Sequence, residues 1–105
     1  MVSKYRNIRT VVDGHKFASK AEARRYGELK LLEKSKCIFN LYLQRPFPIA
    51  IRGVHVCTYI CDFSYTETPS GAYIVEDVKG VRTAAYRIKA KLMRAVYGIT
   101  IKEVK

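Results

Sequence analysis

Residues 18–35 place Ala18, Glu22, Tyr26, Leu29 and Glu33 at helical spacing, with Arg25 and Leu32 beside them. Strong helix formers fill the stretch and no proline interrupts it. Ser19-Lys20-Ala21-Glu22 has the Ser-x-x-Glu form of a helix start, in which serine and glutamate satisfy free backbone N–H groups. The pattern predicts a first helix over 19–35. Upstream, Asp13-Gly14 is a turn signal between Val11-Val12 and Lys16-Phe17, so residues 1–17 form a basic N-terminal arm or a short hairpin.

The period changes after residue 36. Residues 37–51 are apolar, but Pro46 and Pro48 cannot donate to a ladder and exclude a regular central strand. An edge strand over 47–52 is expected instead. Residues 54–65, rich in β-branched and aromatic types, predict a strand apolar on both faces, hence a central one. Thr66 to Gly71 forms a turn, and 72–79 is the next strand, paired with 54–65 as an antiparallel hairpin. Thr83 caps a second helix over 84–97, with Ala85, Ile88, Leu92 and Val96 on its apolar stripe. Gly98 stops that helix, and 99–102 closes the chain as a short strand. The expected class is α/β (α+β): a central mixed sheet flanked by helices, in the order α-β-β-β-α-β, within one domain over 1–105.

Charge narrows the function. Lysine and arginine total 20 against 9 acids, a net charge of +11. The pI near 9.8 exceeds the value of about 9 that marks nucleic-acid-binding domains. The basic residues are spread along the chain, which favours a folded cationic surface over a basic tail. No run approaches a membrane span of roughly 18 apolar residues. No apolar signal segment follows the basic start, so a cytoplasmic location is expected. Cys37, Cys57 and Cys61 are an odd set inside apolar segments, expected as buried free thiols.

The chemistry lies in Ala72–Gly80, Ala-Tyr-Ile-Val-Glu-Asp-Val-Lys-Gly. Alternation puts Tyr73, Val75, Asp77 and Lys79 on one strand face and Ile74, Glu76 and Val78 on the other. Asp62 interrupts an apolar strand that the hairpin brings beside Asp77. Glu22 lies on the buried stripe of the first helix. Three acids and a lysine would then converge, and burying them is costly unless they are paired or hold a metal. Carboxylate oxygens suit Mg²⁺. Each residue also has an ordinary explanation: Glu22 as a capping acid, Asp62 as a strand-end acid pairing an arginine, Asp77-x-Lys79 as a common strand triplet. It is the conjunction that points to a site.

The conjunction resembles the PD-(D/E)XK nuclease superfamily. Glu22, Asp62 and Asp77-Val78-Lys79-Gly80 carry the resemblance, and Cys61 stands where the proline of the motif's name would be. More widely, the chain is similar to a small phage family of this superfamily and to the phage endonuclease I type of Holliday-junction resolvase. That similarity runs through Lys4-Tyr5-Arg6-Asn7, Phe17 to Glu22, Gln44 before Pro46-Phe47, Thr58-Tyr59 through Asp62-Phe63, Val75 to Gly80, and Thr83, Tyr86 and Lys89. The resemblance implies a restriction-endonuclease-like core. It also implies Mg²⁺- or Mn²⁺-dependent hydrolysis of DNA, with Glu22, Asp62 and Asp77 as metal ligands and Lys79 as the catalytic lysine. Gln44 and Glu76 are auxiliary candidates, and a bulge would exchange Glu76 for Asp77.

DNA contacts are expected from Lys4, Arg6 and Arg9 in the arm, Lys20, Arg82, and Arg87, Lys89, Lys91 and Arg94 on the second helix. The resulting expectation is a structure-selective endonuclease for branched DNA in phage recombination, replication or processing. It would act as a homodimer, because symmetric cutting of two strands needs two sites. The alternatives are a non-catalytic module like a double-stranded-RNA-binding domain and an accessory protein that binds a phage or host partner. A zinc site at His55, Cys57 and Cys61 lacks paired Cys-x-x-Cys spacing, and core packing explains those residues better.

Overall fold

The structure is a computed structural model that describes residues 10–105. The expected DNA contacts at Lys4, Arg6 and Arg9 lie outside the described residues. Strands β1 (Thr10–Val12) and β2 (His15–Phe17) form the expected hairpin. Asp13 and Gly14 both take positive φ, 51° and 78°, as a tight two-residue turn matching strand twist requires. Helix α1 (Lys20–Lys34) follows, with the Ser19 side chain accepting from the Glu22 N–H. Glu22, Ala23, Tyr26 and Leu29 are its buried residues.

Six further strands and a second helix complete the order: β3 (Ile38–Leu43), β4 (Pro46–Ile51), β5 (Val54–Ile60), β6 (Phe63–Glu67), β7 (Tyr73–Val78), α2 (Ala84–Leu92) and β8 (Lys102–Val104). The main sheet runs β3-β6-β7-β8. Its β3–β6 and β6–β7 pairs are antiparallel and its β7–β8 pair is parallel, so the sheet is mixed. The fold is therefore α+β, a mixed sheet with two helices. Counting only this sheet and its helices, the order is α1-β3-β6-β7-α2-β8; it has the expected α-β-β-β-α-β form, but its first strand is β3 rather than the expected 47–52 segment. The β1–β2 and β4–β5 hairpins are additions to it.

Two separate cores flank the sheet. Phe17, Ala23, Tyr26, Leu29 and Ile38 pack with Phe63 and Tyr65 on the α1 side. Phe47, Ile49, Tyr59 and Cys61 pack with Val75, Tyr86 and Met93 on the α2 side. Strand alternation assigns each sheet residue to one core or the other.

Several expectations are corrected. Residues 54–65 are two strands: among the described residues β5 pairs only with β4, the chain turns at Cys61–Asp62, and β6 enters the main sheet. The opposite strand breaks at the same level, at Gln44–Arg45, where Gln44 takes φ 53°. Of these two strands, it is β6 that is covered on both faces and pairs with β7. The prolines do sit in an edge strand, β4, but β3 precedes it and had not been expected. Helix α2 stops at Leu92 and continues as one π-helical turn, Met93–Tyr97, closed by Gly98 at φ 69°. Its buried residues are Tyr86 and Met93, while Ile88 and Val96 of the expected stripe face outward. The larger tyrosine and methionine win the interior because they remove more apolar area from water. The last strand begins at Lys102 rather than Ile99. Cys37 is exposed in the loop after α1, unlike Cys61 in the second core. Among the described residues no helix is long and apolar enough to cross a membrane.

Candidate active site

The chain turn between β5 and β6 puts Asp62 at the end of the main sheet rather than inside it. Its N–H donates to the Glu76 carbonyl at 3.1 Å, and its own carbonyl accepts from the Gln44 N–H at 3.1 Å. These bonds pin the Asp62 backbone between β7 and the β3–β4 break. Its carboxylate accepts from the Val78 N–H at 2.7 Å, and the Gln44 side-chain amide lies 3.4 Å from its other oxygen. Gln44, expected as an auxiliary residue, is thus brought to Asp62.

Glu22 reaches Asp62 from α1. One of its oxygens accepts at 3.1 Å from the N–H of Ala18, the residue before the Ser19 cap, rather than from the cap's own N–H. Asp77 reaches Asp62 from β7. The Tyr59 hydroxyl donates to Asp77 Oδ2 at 2.6 Å, and Lys79 Nζ stands 3.3 Å from Asp77 Oδ1. Asp62, Asp77 and Lys79 lie at the same end of the sheet, and Glu22 acts on the Asp62 carboxyl from α1.

The electrostatics follow from that crowding. Burial pushes the Asp62 carboxyl up to about 6, and the facing Glu22 adds to the rise while the Val78 N–H opposes it. Burial likewise pushes Asp77 up to about 6; Asp62 contributes, and Tyr59 and Lys79 oppose it. Two facing acids, Asp77 buried and Asp62 half-buried, disfavour double ionisation, and a cation between them would relieve that cost.

The donors are all oxygens, which fits Mg²⁺ or Mn²⁺. Among the described residues no three His, Cys, Asp or Glu side chains close around one point as a ready ligand cage. Asp62 instead meets Glu22 on one side and Asp77 on the other. Mg²⁺ keeps several waters and needs only one or two carboxylates, so the Asp62–Asp77 pair is a sufficient start. The His55, Cys57 and Cys61 set is split by the chain turn; His55 is exposed against Thr58 and Cys61 is buried in the second core.

Glu76 is not brought to the site. It lies on the α1 face, fully buried, where Arg25 Nε and Nη2 donate to it at 2.8 and 2.7 Å and the Tyr65 hydroxyl also donates. No bulge in β7 exchanges it with Asp77, since the β6–β7 register is regular. Arg25 and Tyr65 beside Glu76 were not singled out in the sequence as its partners, and Tyr59 and Tyr86 stood there only among the residues of the resemblance, with no role given. Tyr59 has a signal in retrospect, as the aromatic three residues before Asp62.

Open clefts lie beside Glu22 and Lys79. One of about 580 Å³ is lined by Ser19, Glu22, Lys79, Gly80 and Lys105 among others. A second, of about 200 Å³, shares Lys79, Gly80 and Lys105 and adds Arg82 and Glu103. A third, of about 300 Å³, shares Arg82 and Glu103 and reaches Arg94. Together they trace a groove with Lys79, Lys105, Arg82 and Arg94 along it. Arg82 shares the second cleft with Lys79, and Arg94 lies in the third, whose acid is Glu103. Helical spacing puts Arg87 and Lys91 on the neighbouring face of α2, exposed, with Lys89 half-buried and Lys20 exposed at the start of α1. Arg82 also pairs with Glu103.

No curated protein and no solved structure matches this chain. A family model described as a protein of unknown function, DUF1064, matches residues 2–104, so the chain belongs to that family.

Proposed function

We propose that this chain is a metal-dependent DNA endonuclease with a PD-(D/E)XK site built on a restriction-endonuclease-like core. The observation that carries the reading is the place of Asp62. Its N–H is bonded to the Glu76 carbonyl, beside Asp77, its carboxylate accepts from the Val78 N–H at 2.7 Å, and Lys79 stands 3.3 Å from Asp77, while Glu22 and Asp77 both act on its charge. The α1-β3-β6-β7-α2-β8 order around a mixed sheet supports the same reading.

Asp62 and Asp77, with Glu22, would hold Mg²⁺ or Mn²⁺. A bound divalent ion supplies an acidified water and charge neutralisation at a phosphodiester. Asp77 orients the Lys79 ammonium. That ammonium offsets negative charge developing on the scissile phosphate. Lys105, Arg82 and Arg94 hold phosphates on either side, which fixes the strand in register. Branched DNA, a homodimer with one site per copy, and action on phage DNA in the host cytoplasm are the context we propose for it.

The test is incubation of the purified protein with four-way, three-way and linear DNA, each with Mg²⁺, with Mn²⁺ and with EDTA. Cleavage with either metal and none in EDTA is the expected result. Salt-sensitive binding with no cleavage in any metal would instead leave a non-catalytic nucleic-acid-binding module.

A further inference from the structure

The acid–lysine pair on β7 is gripped by two tyrosines from different elements. Tyr59 on β5 is 3% exposed, and its hydroxyl donates to Asp77 Oδ2 at 2.6 Å. Lys79 takes the other oxygen, Oδ1. On α2, the Tyr86 ring lies under the lysine, with Lys79 Nζ 4.2 Å from the ring centroid. That is within the roughly 6 Å range of a cation–π contact. Tyr86 is itself fixed at both ends. Its N–H donates to the Thr83 hydroxyl at 3.1 Å, and its hydroxyl donates to Glu103 Oε2 at 2.8 Å. Glu103 lies opposite Asp77 in the β7–β8 register and also pairs with Arg82.

A lysine stem has four rotatable bonds, and a single exposed ion pair holds it weakly. A ring on one side and a carboxylate on the other confine the ammonium to one place. Tyr59 does the equivalent for Asp77: it occupies one oxygen and so decides which one is left for Lys79. We infer that Tyr59 and Tyr86 are positioning residues of this site, Tyr59 aiming the Asp77 carboxylate and the Tyr86 ring seating the Lys79 ammonium. The inference rests on the nuclease reading and adds to it two residues outside the acid–lysine motif.

The two roles separate in kinetics. Tyr59→Phe keeps the packing and removes the hydroxyl. It should raise the Mg²⁺ concentration giving half-maximal cleavage about tenfold, the scale seen when a partner of a metal ligand is lost. Saturating Mg²⁺ should restore most of the rate. Tyr86→Phe keeps the ring and should cleave within about threefold of wild type, whereas Tyr86→Leu should lose about tenfold or more at saturating Mg²⁺ with its metal dependence and DNA affinity unchanged.

The closing experiment is a Mg²⁺ titration of DNA cleavage by wild type and these three variants. Alongside it, the Lys79 ε-methylene proton shifts are measured by NMR in the wild-type protein. A ring-shifted Lys79 resonance with the split described supports the inference. An unshifted resonance overturns the Tyr86 part whether or not Tyr86→Leu folds. Equal losses in Tyr86→Phe and Tyr86→Leu, or wild-type kinetics in Tyr59→Phe, also overturn it while the nuclease reading stands. If wild type itself cleaves nothing in any metal, the nuclease reading falls and takes this inference with it.

Discussion

Glu76 and Asp77 are consecutive on β7, both buried, and face opposite cores. Glu76 is satisfied: two Arg25 nitrogens and the Tyr65 hydroxyl donate to it, on the side where α1 packs. Burial and the bond to Glu76 act in opposite directions on Arg25, and the bond prevails, holding the guanidinium firmly charged. Asp77 has a hydroxyl and an ammonium, but it also faces a second acid, Asp62, which in turn faces a third, Glu22. A buried acid enclosed by donors is a structural part. Buried acids turned toward one another are unfavourable by themselves and become favourable with a cation. One strand thus shows a finished interaction on one face and an open one on the other.

Breaking the finished side should have the largest effect on stability. Glu76→Gln takes the buried charge partner from Arg25 and leaves it only Glu28, an exposed acid 3.1 Å away on the same helix, and about 3 kcal/mol of unfolding free energy should be lost, read by urea denaturation. A loss under about 1 kcal/mol would mean the pair is solvated and the contrast with Asp77 is false.

The open side should behave oppositely. With the metal absent, Asp62 and Asp77 titrate in the folded protein near 6, but near 3.9 in the unfolded chain. Between those values the folded state holds more protons. Stability therefore falls as pH rises from about 4 to 6 and levels off above that. Comparing wild type with the Asp62→Asn/Asp77→Asn double variant isolates this contribution, expected at about 2 kcal/mol after allowance for solvent screening. Added Mg²⁺ should stabilise wild type at pH 7.5 and leave the double variant unchanged, since only the former binds it. A wild-type stability that rises with pH over this window relative to the variant would contradict the arrangement.

The smallest expected effect belongs to Gln44. Its amide is 3.4 Å from Asp62, a long contact at an exposed place, so Gln44→Ala should lower cleavage by only about threefold with stability changed by less than about 0.5 kcal/mol. A loss as large as that of an acid would move Gln44 from a supporting to a direct role.

The two faces were unequally legible in the sequence. Period-two alternation alone put Asp77 with Lys79 and Glu76 opposite them, and the caps at Ser19 and Thr83 and the stop at Gly98 were all visible as local signals. The partner of Glu76 was not: Arg25 is 51 residues away in the chain, and no local pattern encodes such a contact. The turn at Cys61–Asp62 was hidden as well. Apolar residues continue on both sides of it without glycine or proline, and only the competition between two sheets for the segment breaks it. That hidden turn is what carries Asp62 to the sheet end, so the geometry of the site depended on a feature the hydrophobic pattern conceals. The outward stripe of α2 was misread because spacing alone cannot tell Ile88 from Tyr86 as the side that faces the sheet.

The most direct measurement compares the neighbours themselves. Cleavage of a four-way DNA junction in saturating Mg²⁺ is followed for wild type, Asp77→Asn and Glu76→Gln, with circular dichroism giving the folded fraction of each. Asp77→Asn should fold and lose on the order of a thousandfold in rate, about 4 kcal/mol of barrier, while Glu76→Gln should keep near-wild-type rate per folded molecule. A folded Asp77→Asn that cuts as fast as wild type would contradict the site.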